Sequence, residues 1–221
     1  MNNYDIKNSK NNNITINNNI NNNILNNKEW NNLVKFHGHS CPGLAIGYKV
    51  AEYVKKYYKP SEDEELIAIV ENDSCGVDAI QYMLSCTFGK GNLIFKDYGK
   101  HVYTIYHRNG NGEAIRIYVK NVLEDFRKIR EKYTKNNLSE KEQEEYNKIK
   151  NEIASKILNM DYKELLVVKK VPIKEPKRAK LYNSIPCNVC GEYFMEIKGR
   201  IYDGKIVCLE CFEKLLNEDD K

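Results

Sequence analysis

The chain's 221 residues, 41% of them hydrophobic, are enough for one main domain with a real core and a small appended one. Its 35 basic and 31 acidic residues leave a net charge of +4, which excludes a bulk electrostatic case for nucleic acid or an anionic membrane surface. With no run of about 18 apolar residues to span a membrane and no apolar N-terminal segment to act as a signal peptide, a cytoplasmic location is expected.

Residues 1–28 are dominated by asparagine with scattered isoleucines and keep no helical or strand period, as in Ile14-Thr15-Ile16-Asn17-Asn18-Asn19-Ile20. Such a segment buries too little apolar surface to offset its ordering entropy, so a disordered extension is expected. His37-Gly38-His39-Ser40-Cys41-Pro42-Gly43 then gathers two of the chain's four histidines beside a cysteine. Were this segment extended, His37, His39 and Cys41 would project from one face as two imidazoles and a thiol, a metal-ligand or activated-thiol arrangement. Pro42 suits the first position of a helix, which puts Cys41 at the N-cap, where unpaired N–H groups favour a thiolate. From Pro42 to about Tyr58, Leu44, Val50, Ala51, Val54 and Tyr58 form an apolar helical stripe.

Leu66–Val70 reads as a short buried strand that runs into a second helix. Asp73 and Ser74 are expected to cap it, with Cys75 and Asp78 sharing a face in its first turn. Cys86-Thr87-Phe88-Gly89-Lys90-Gly91-Asn92 is a glycine-flanked lysine loop able to hold an anion, although it lacks P-loop spacing. Leu93–Phe95, His101–His107 and Ala114–Val119 read as strands, the last two joined as a hairpin through Asn109-Gly110-Asn111-Gly112. His101 and His107 lie about 20 Å apart by strand rise and are expected to be structural or surface residues.

Residues 121–158 read as a charged helical hairpin turning at Asn136-Asn137, with Ser139 and Glu142 as a capping box and Tyr146, Ile149, Ile153 and Ile157 as a stripe that packs on the core or on a second copy in a homodimer. The basic, proline-punctuated stretch from Lys169 to Lys180 reads as a solvated connector. Beyond it, Cys187-Asn188-Val189-Cys190 and Cys208-Leu209-Glu210-Cys211 are two C-x-x-C pairs with a 17-residue spacer. Four cysteines so spaced point to structural zinc, with a hairpin turning at Asp203-Gly204 and a helix opening at the second pair, in the order of a treble clef. Seven cysteines, an odd number, fit metal binding in a reducing compartment better than a disulfide framework.

The motifs His37-Gly38-His39-Ser40-Cys41-Pro42-Gly43-Leu44, Cys75-Gly76-Val77-Asp78-Ala79-Ile80-Gln81, Cys86-Thr87-Phe88-Gly89-Lys90-Gly91-Asn92-Leu93 and Asp97-Tyr98-Gly99-Lys100 resemble, in order, those of the FmdE family of formylmethanofuran dehydrogenase components. The resemblance spans about Trp30 to Val119 and resumes at the C-terminal cysteines. It implies an α+β core of antiparallel or mixed sheet packed with helices, and an appended treble-clef zinc finger. It also implies an archaeal, methanogenic setting and association with the other subunits of the enzyme that reduces carbon dioxide onto methanofuran, whose molybdenum or tungsten catalyst resides in a different chain.

The expected organisation is therefore an extension (1–28), a core (29–171), a linker (172–180) and a zinc-binding domain with an acidic tail (181–221). Cys187, Cys190, Cys208 and Cys211 would hold zinc, while His37, His39, Cys41, Cys75 and Asp78 would form a core site for a second metal or a small ligand, with Asp78 as ligand or as acceptor behind one. Two other readings stand beside that of an accessory component. One is a free-standing thiol or metal enzyme with Cys41 as nucleophile, His37 or His39 as base and backbone N–H groups near Gly43 as oxyanion donors. The other, less favoured, is a zinc-finger nucleic-acid-binding or regulatory protein in which Tyr193, Phe194 and Tyr202 stack on bases.

Overall fold

In the computed structural model, which describes residues 27–108, 110, 112–133 and 138–219, strand β1 (Leu66–Val70) divides its side chains between the two faces of a five-stranded sheet. Leu66, Ala68 and Val70 enter the main core, whereas Ile67 joins Tyr106 and Ala114 in a smaller cluster on the other face. The two-residue period of the pleat produces this division, and it explains why every residue of so short a run is apolar.

The sheet order is β2-β1-β3-β4-β5, with β2 (Leu93–Phe95), β3 (Val102–His107), β4 (Glu113–Val119) and β5 (Leu166–Pro172). Only β1 and β2 are parallel, connected by a crossover through helix α3 (Gly76–Leu84), and the remaining pairs are antiparallel. Helices α1 (Lys28–His37), α2 (Pro42–Val54), α3 and α5 (Glu140–Leu158) share one apolar cluster with this sheet, built on Trp30, Leu44, Val50, Ile80, Ile105, Ile117 and Ile157. The fold is thus the expected α+β core with a mixed sheet.

Several local expectations change. The segment from His37 to Cys41 is not extended: His37 ends α1, and Gly38 reverses the chain at φ +95°, its N–H bonded to the Val34 carbonyl at 2.8 Å. Asn27 caps α1 by accepting the Glu29 N–H at 2.9 Å, so the last residues of the tract assigned to 1–28 belong to this helix and its cap; the rest of that tract lies outside the described residues. Helix α2 stops at Val54 rather than near Tyr58, tightening through Lys56 N–H to Tyr53 O and Tyr57 N–H to Val54 O, and Tyr58 stacks on His107 at 5.4 Å. Pro60 makes a longer helix costly at Lys59. At α3 neither Asp73 nor Ser74 caps; Cys75 occupies the N-cap without a side-chain bond, and Ser74 gives its N–H and hydroxyl to Asn72 Oδ1.

Helix α4 (Glu124–Lys132) and α5 flank residues 134–137, so the turn at Asn136-Asn137 lies outside the described residues, as do Asn109 and Asn111 of the other expected turn. The Ser139–Glu142 capping box is present. A short α6 (Tyr162–Leu165) leads into β5, which holds Lys169 and Lys170 in register with Arg116 and Ile115. That part of the supposed connector is an edge strand, and its lysines suit one because charge discourages further pairing.

The chain divides into two compact units, Met1–Lys177 and Arg178–Lys221. The second holds two small hairpins, β6 (Ser184–Pro186) with β7 (Tyr193–Met195) and β8 (Arg200–Tyr202) with β9 (Lys205–Val207), followed by helix α7 (Leu209–Asp219). Asp203 and Gly204, at φ +47° and +71°, turn the second hairpin as the Asp-Gly pair predicts. No helix among the described residues is long and apolar enough to cross a membrane.

Candidate metal centres

Two helix starts bring the core thiols together. Cys41 caps α2 from an extended backbone, and its Sγ accepts the Leu44 N–H at 3.3 Å. Cys75 stands at the same position on α3. The helices approach closely because neither contact residue has a side chain: a Cβ on Gly47 would lie 2.2 Å from the Gly76 carbonyl oxygen, and one on Gly76 would lie 3.2 Å from the Gly43 carbonyl oxygen and 2.5 Å from the Tyr103 hydroxyl of β3. The glycine pair is thus what allows Cys41 and Cys75 to meet.

His37, delivered by the Gly38 turn, completes the group. One ligand atom each from His37, Cys41 and Cys75 lies within 4.8 Å of the others. His37 Nδ1 is 2.7 Å from Asp78 Oδ2, whose other oxygen accepts from Gln81 at 3.2 Å. A carboxylate partner fixes the tautomer with the proton on Nδ1, leaving Nε2, 3.9 Å from Cys41 Sγ, as the free ligand atom. Asp78 therefore acts through His37. His39 stacks against His37 with ring centroids 4.6 Å apart and lies outside the three-residue group, on the wall of the adjoining cavity.

The thiols do not share charge evenly. The bond from Cys41 draws the Cys75 thiol down to about 5 from an ordinary 9.0, helped by His37 and against the effect of burial. That same bond, followed by burial, pushes Cys41 far up, with only the Leu44 and Gly43 N–H groups opposing it. The N-cap N–H groups are outweighed at Cys41, and the direction of the two shifts favours the thiolate at Cys75.

A cavity of about 440 Å³ adjoins this group, lined by His39, Cys41, Gly43, Cys75 and His101 together with residues of α4 and α5. His101 was expected to be structural or at the surface. Its carbonyl does hold the Val119 N–H at 2.9 Å, but its ring lines the cavity, with Nδ1 buried and unpartnered among the described residues. The spacing of His101 from His107 carried no sign of this, because it reports nothing of the space that the ring meets elsewhere in the fold. The Cys86–Asn92 loop turns out to be architectural: Lys90 Nζ donates to the Ser61 carbonyl at 3.2 Å, and the fully buried Asn92 amide donates to the carbonyls of Asp63, Leu66 and Ser85.

In the second unit, the Sγ atoms of Cys187, Cys190, Cys208 and Cys211 all lie within 4.8 Å of one another. Cys187 Sγ accepts the N–H groups of Val189 at 3.4 Å and Cys208 at 3.3 Å, and Cys208 Sγ that of Cys211 at 3.5 Å, with Gly191 at φ +77° closing the first turn. Burial raises the Cys187 thiol, but the surrounding N–H groups outweigh it and bring it down to about 6. Cys211 is pushed up to about 12, by burial first and then by its neighbouring thiols. Four sulfurs this close suit a shared cation that would take all four as thiolates, and a closed all-sulfur set suits zinc. Phe194 and Tyr202 pack around the cysteines, Tyr202 edge-on to Phe212, while Tyr193 is exposed.

Comparison with known proteins agrees with both units. Residues 36–167 match the family described as FmdE, molybdenum formylmethanofuran dehydrogenase operon, and residues 180–215 match the prokaryotic dksA/traR C4-type zinc finger. A probable S-adenosyl-L-methionine-binding protein from Archaeoglobus fulgidus is 30% identical over 193 residues, covering 80% of this chain; the chain spans about half, 50%, of that relative's length. The crystal structure of a tungsten formylmethanofuran dehydrogenase FmdE-like protein from Syntrophus aciditrophicus superposes with a TM-score of 0.54 at 25% identity, covering 87% of this chain and 96% of the other. The chain is a member of the FmdE family, with a C4 zinc finger following the family core.

Proposed function

We propose that the core holds a second metal ion on His37 Nε2, Cys41 Sγ and Cys75 Sγ, with a coordination position left open toward the cavity. The observation that carries this reading is the three-residue group itself, two sulfurs and an oriented imidazole beside an open space. Two thiolates and one imidazole suit a divalent zinc-like ion, and three protein ligands with an open position mark a working site rather than a closed structural one. A bound ion would supply Lewis-acid polarisation at that position. The protein's own part is to keep His37 in one tautomer through Asp78 and to supply a thiolate at Cys75.

At the level of the cell, we infer an accessory role alongside the other subunits of a formylmethanofuran dehydrogenase, in the reduction of carbon dioxide to formylmethanofuran. Family membership and the name of the Syntrophus relative support this assignment. Affinity isolation of the tagged full chain from its native cell tests it: the expected result is retention of pterin-bearing subunits, and isolation of the chain alone under gentle conditions would remove the assignment.

A free-standing thiol or metal enzyme is the second reading, favoured by the lowered Cys75 thiol at the mouth of a cavity. In it Cys75 rather than Cys41 is the nucleophile. Catalytic turnover surviving removal of the core metal, and lost in Cys75→Ser, would select it over the accessory role.

A further inference from the structure

The residues of α4 and α5 that line the cavity beside the proposed metal position are mostly basic and aromatic. Arg127 and Arg130 of α4, Lys150 of α5, Phe126 and Tyr146 line it, and Glu124 is the only acidic residue there among those described. Glu124 lies 3.4 Å from Arg127 in an exposed pair, and Lys150 Nζ stands 4.9 Å from the Tyr146 ring centroid. Arg127 and Lys150 against the one carboxylate of Glu124 leave this part of the lining with a net positive charge. His101 lines the same space with a buried Nδ1 that no described residue satisfies, an unmet polar atom of a kind that costs stability unless water or a ligand meets it. At about 440 Å³ the cavity lies in the range of small-molecule sites.

We propose that the cavity binds an organic anion, a carboxylate- or phosphate-bearing small molecule, whose charged end pairs with Arg127 and Lys150, whose polar body is read by His101, and whose donor end reaches the metal position. This rests on the core metal reading above. The carboxylate- and phosphate-bearing forms share the same recognition, since guanidinium and ammonium groups pair with either. The charge of the wall argues against a sulfonium cation as its ligand, so the binding named for the Archaeoglobus relative is not carried over to this cavity.

The test uses the full chain loaded with cobalt(II), whose visible bands respond to a change at its open position. Succinate and adenosine monophosphate are titrated against their uncharged counterparts, succinamide and adenosine, and against S-adenosylmethionine. The expected result is saturable band shifts with at least one anion, at least tenfold weaker for its neutral counterpart; which anion acts tells carboxylate from phosphate. Arg127→Gln with Lys150→Gln should weaken the response about tenfold or more, and His101→Phe should weaken it without loss of cobalt. Equal binding of neutral and charged partners, preference for S-adenosylmethionine, or no response to either anion at ~10 mM would overturn the proposal. Cobalt held in the core without any anion response sinks this inference alone. A core that takes up no cobalt sinks the metal reading, and calorimetric titration of the same anions into that chain then decides anion binding by itself.

Discussion

A single carboxylate decides what His37 has to offer. With Asp78 Oδ2 at 2.7 Å from Nδ1, the imidazole is held with Nε2 toward the thiols, so Asp78→Asn should weaken core metal binding by roughly 10- to 100-fold while leaving the finger's metal in place. Competition with a chromophoric chelator measures this, and unchanged core affinity would mean that the pair only fastens α1 to α3. The thiols make a second prediction, on pH. In the metal-free chain Cys75 loses its proton near pH 5 when folded and near its ordinary 9.0 when unfolded, so the unfolded state binds more protons between those values and stability rises with pH across that window. Above 9 the raised Cys41 reverses the sign, and stability falls. Iodoacetamide should accordingly modify Cys75 at about pH 6 to 7 and spare Cys41; the opposite preference would return the thiolate to the N-cap of α2. The sequence placed His37, Cys41, Cys75 and Asp78 in one neighbourhood by motif order, but it could not divide the charge between two thiols, because that division depends on the bond between the two sulfurs and on how deeply each is buried. For the same reason His101 stayed hidden: nothing near it in the chain reports what its ring faces.

Helix packing carries the site as much as its ligands do. Gly47 and Gly76 hold α2 against α3, and replacement of Gly47 by Val would push branched carbons into the Gly76 carbonyl, which lies 2.2 Å from even a Cβ. The expected cost is about 2 kcal/mol or more, read from chemical unfolding, with loss of core metal as Cys41 and Cys75 separate. A Gly47→Val protein of normal stability and full metal content would show that the helices need no such approach. Strand β1, helices α2 and α3 and the β3–β4 hairpin were legible because apolar period and turn chemistry coincide in them. Strand β5 was not, since Lys169, Lys170 and Pro172 have the composition of a connector and only the pairing of Val168 with Ile117 and of Val171 with Ala114 shows them as an edge. Helix α1 was missed as well, because its capping residue Asn27 belongs by composition to the asparagine tract.

The two units answer to different forces. The first rests on an apolar cluster running from Trp30 to Leu166, whereas the second buries Cys187, Val207 and Cys211 as its only fully buried apolar residues among those described. So small a core does not stand without its ion, and Cys208→Ser should leave residues 178–221 open to protease while the unfolding midpoint of the first unit stays unchanged. One cooperative transition of the whole chain on chelation would contradict that independence. The spacing of the four cysteines made the finger plain from the sequence, while the proposed second metal depends on a cluster that the meeting of α1, α2 and α3 creates. Elemental analysis of the full chain, purified without added chelator and set beside Cys208→Ser and the double variant Cys41→Ser/Cys75→Ser, tests this most directly. Two metal equivalents in the parent and one in each variant is the predicted result; one equivalent in the parent, lost entirely in Cys208→Ser and kept in the double variant, would contradict the core centre.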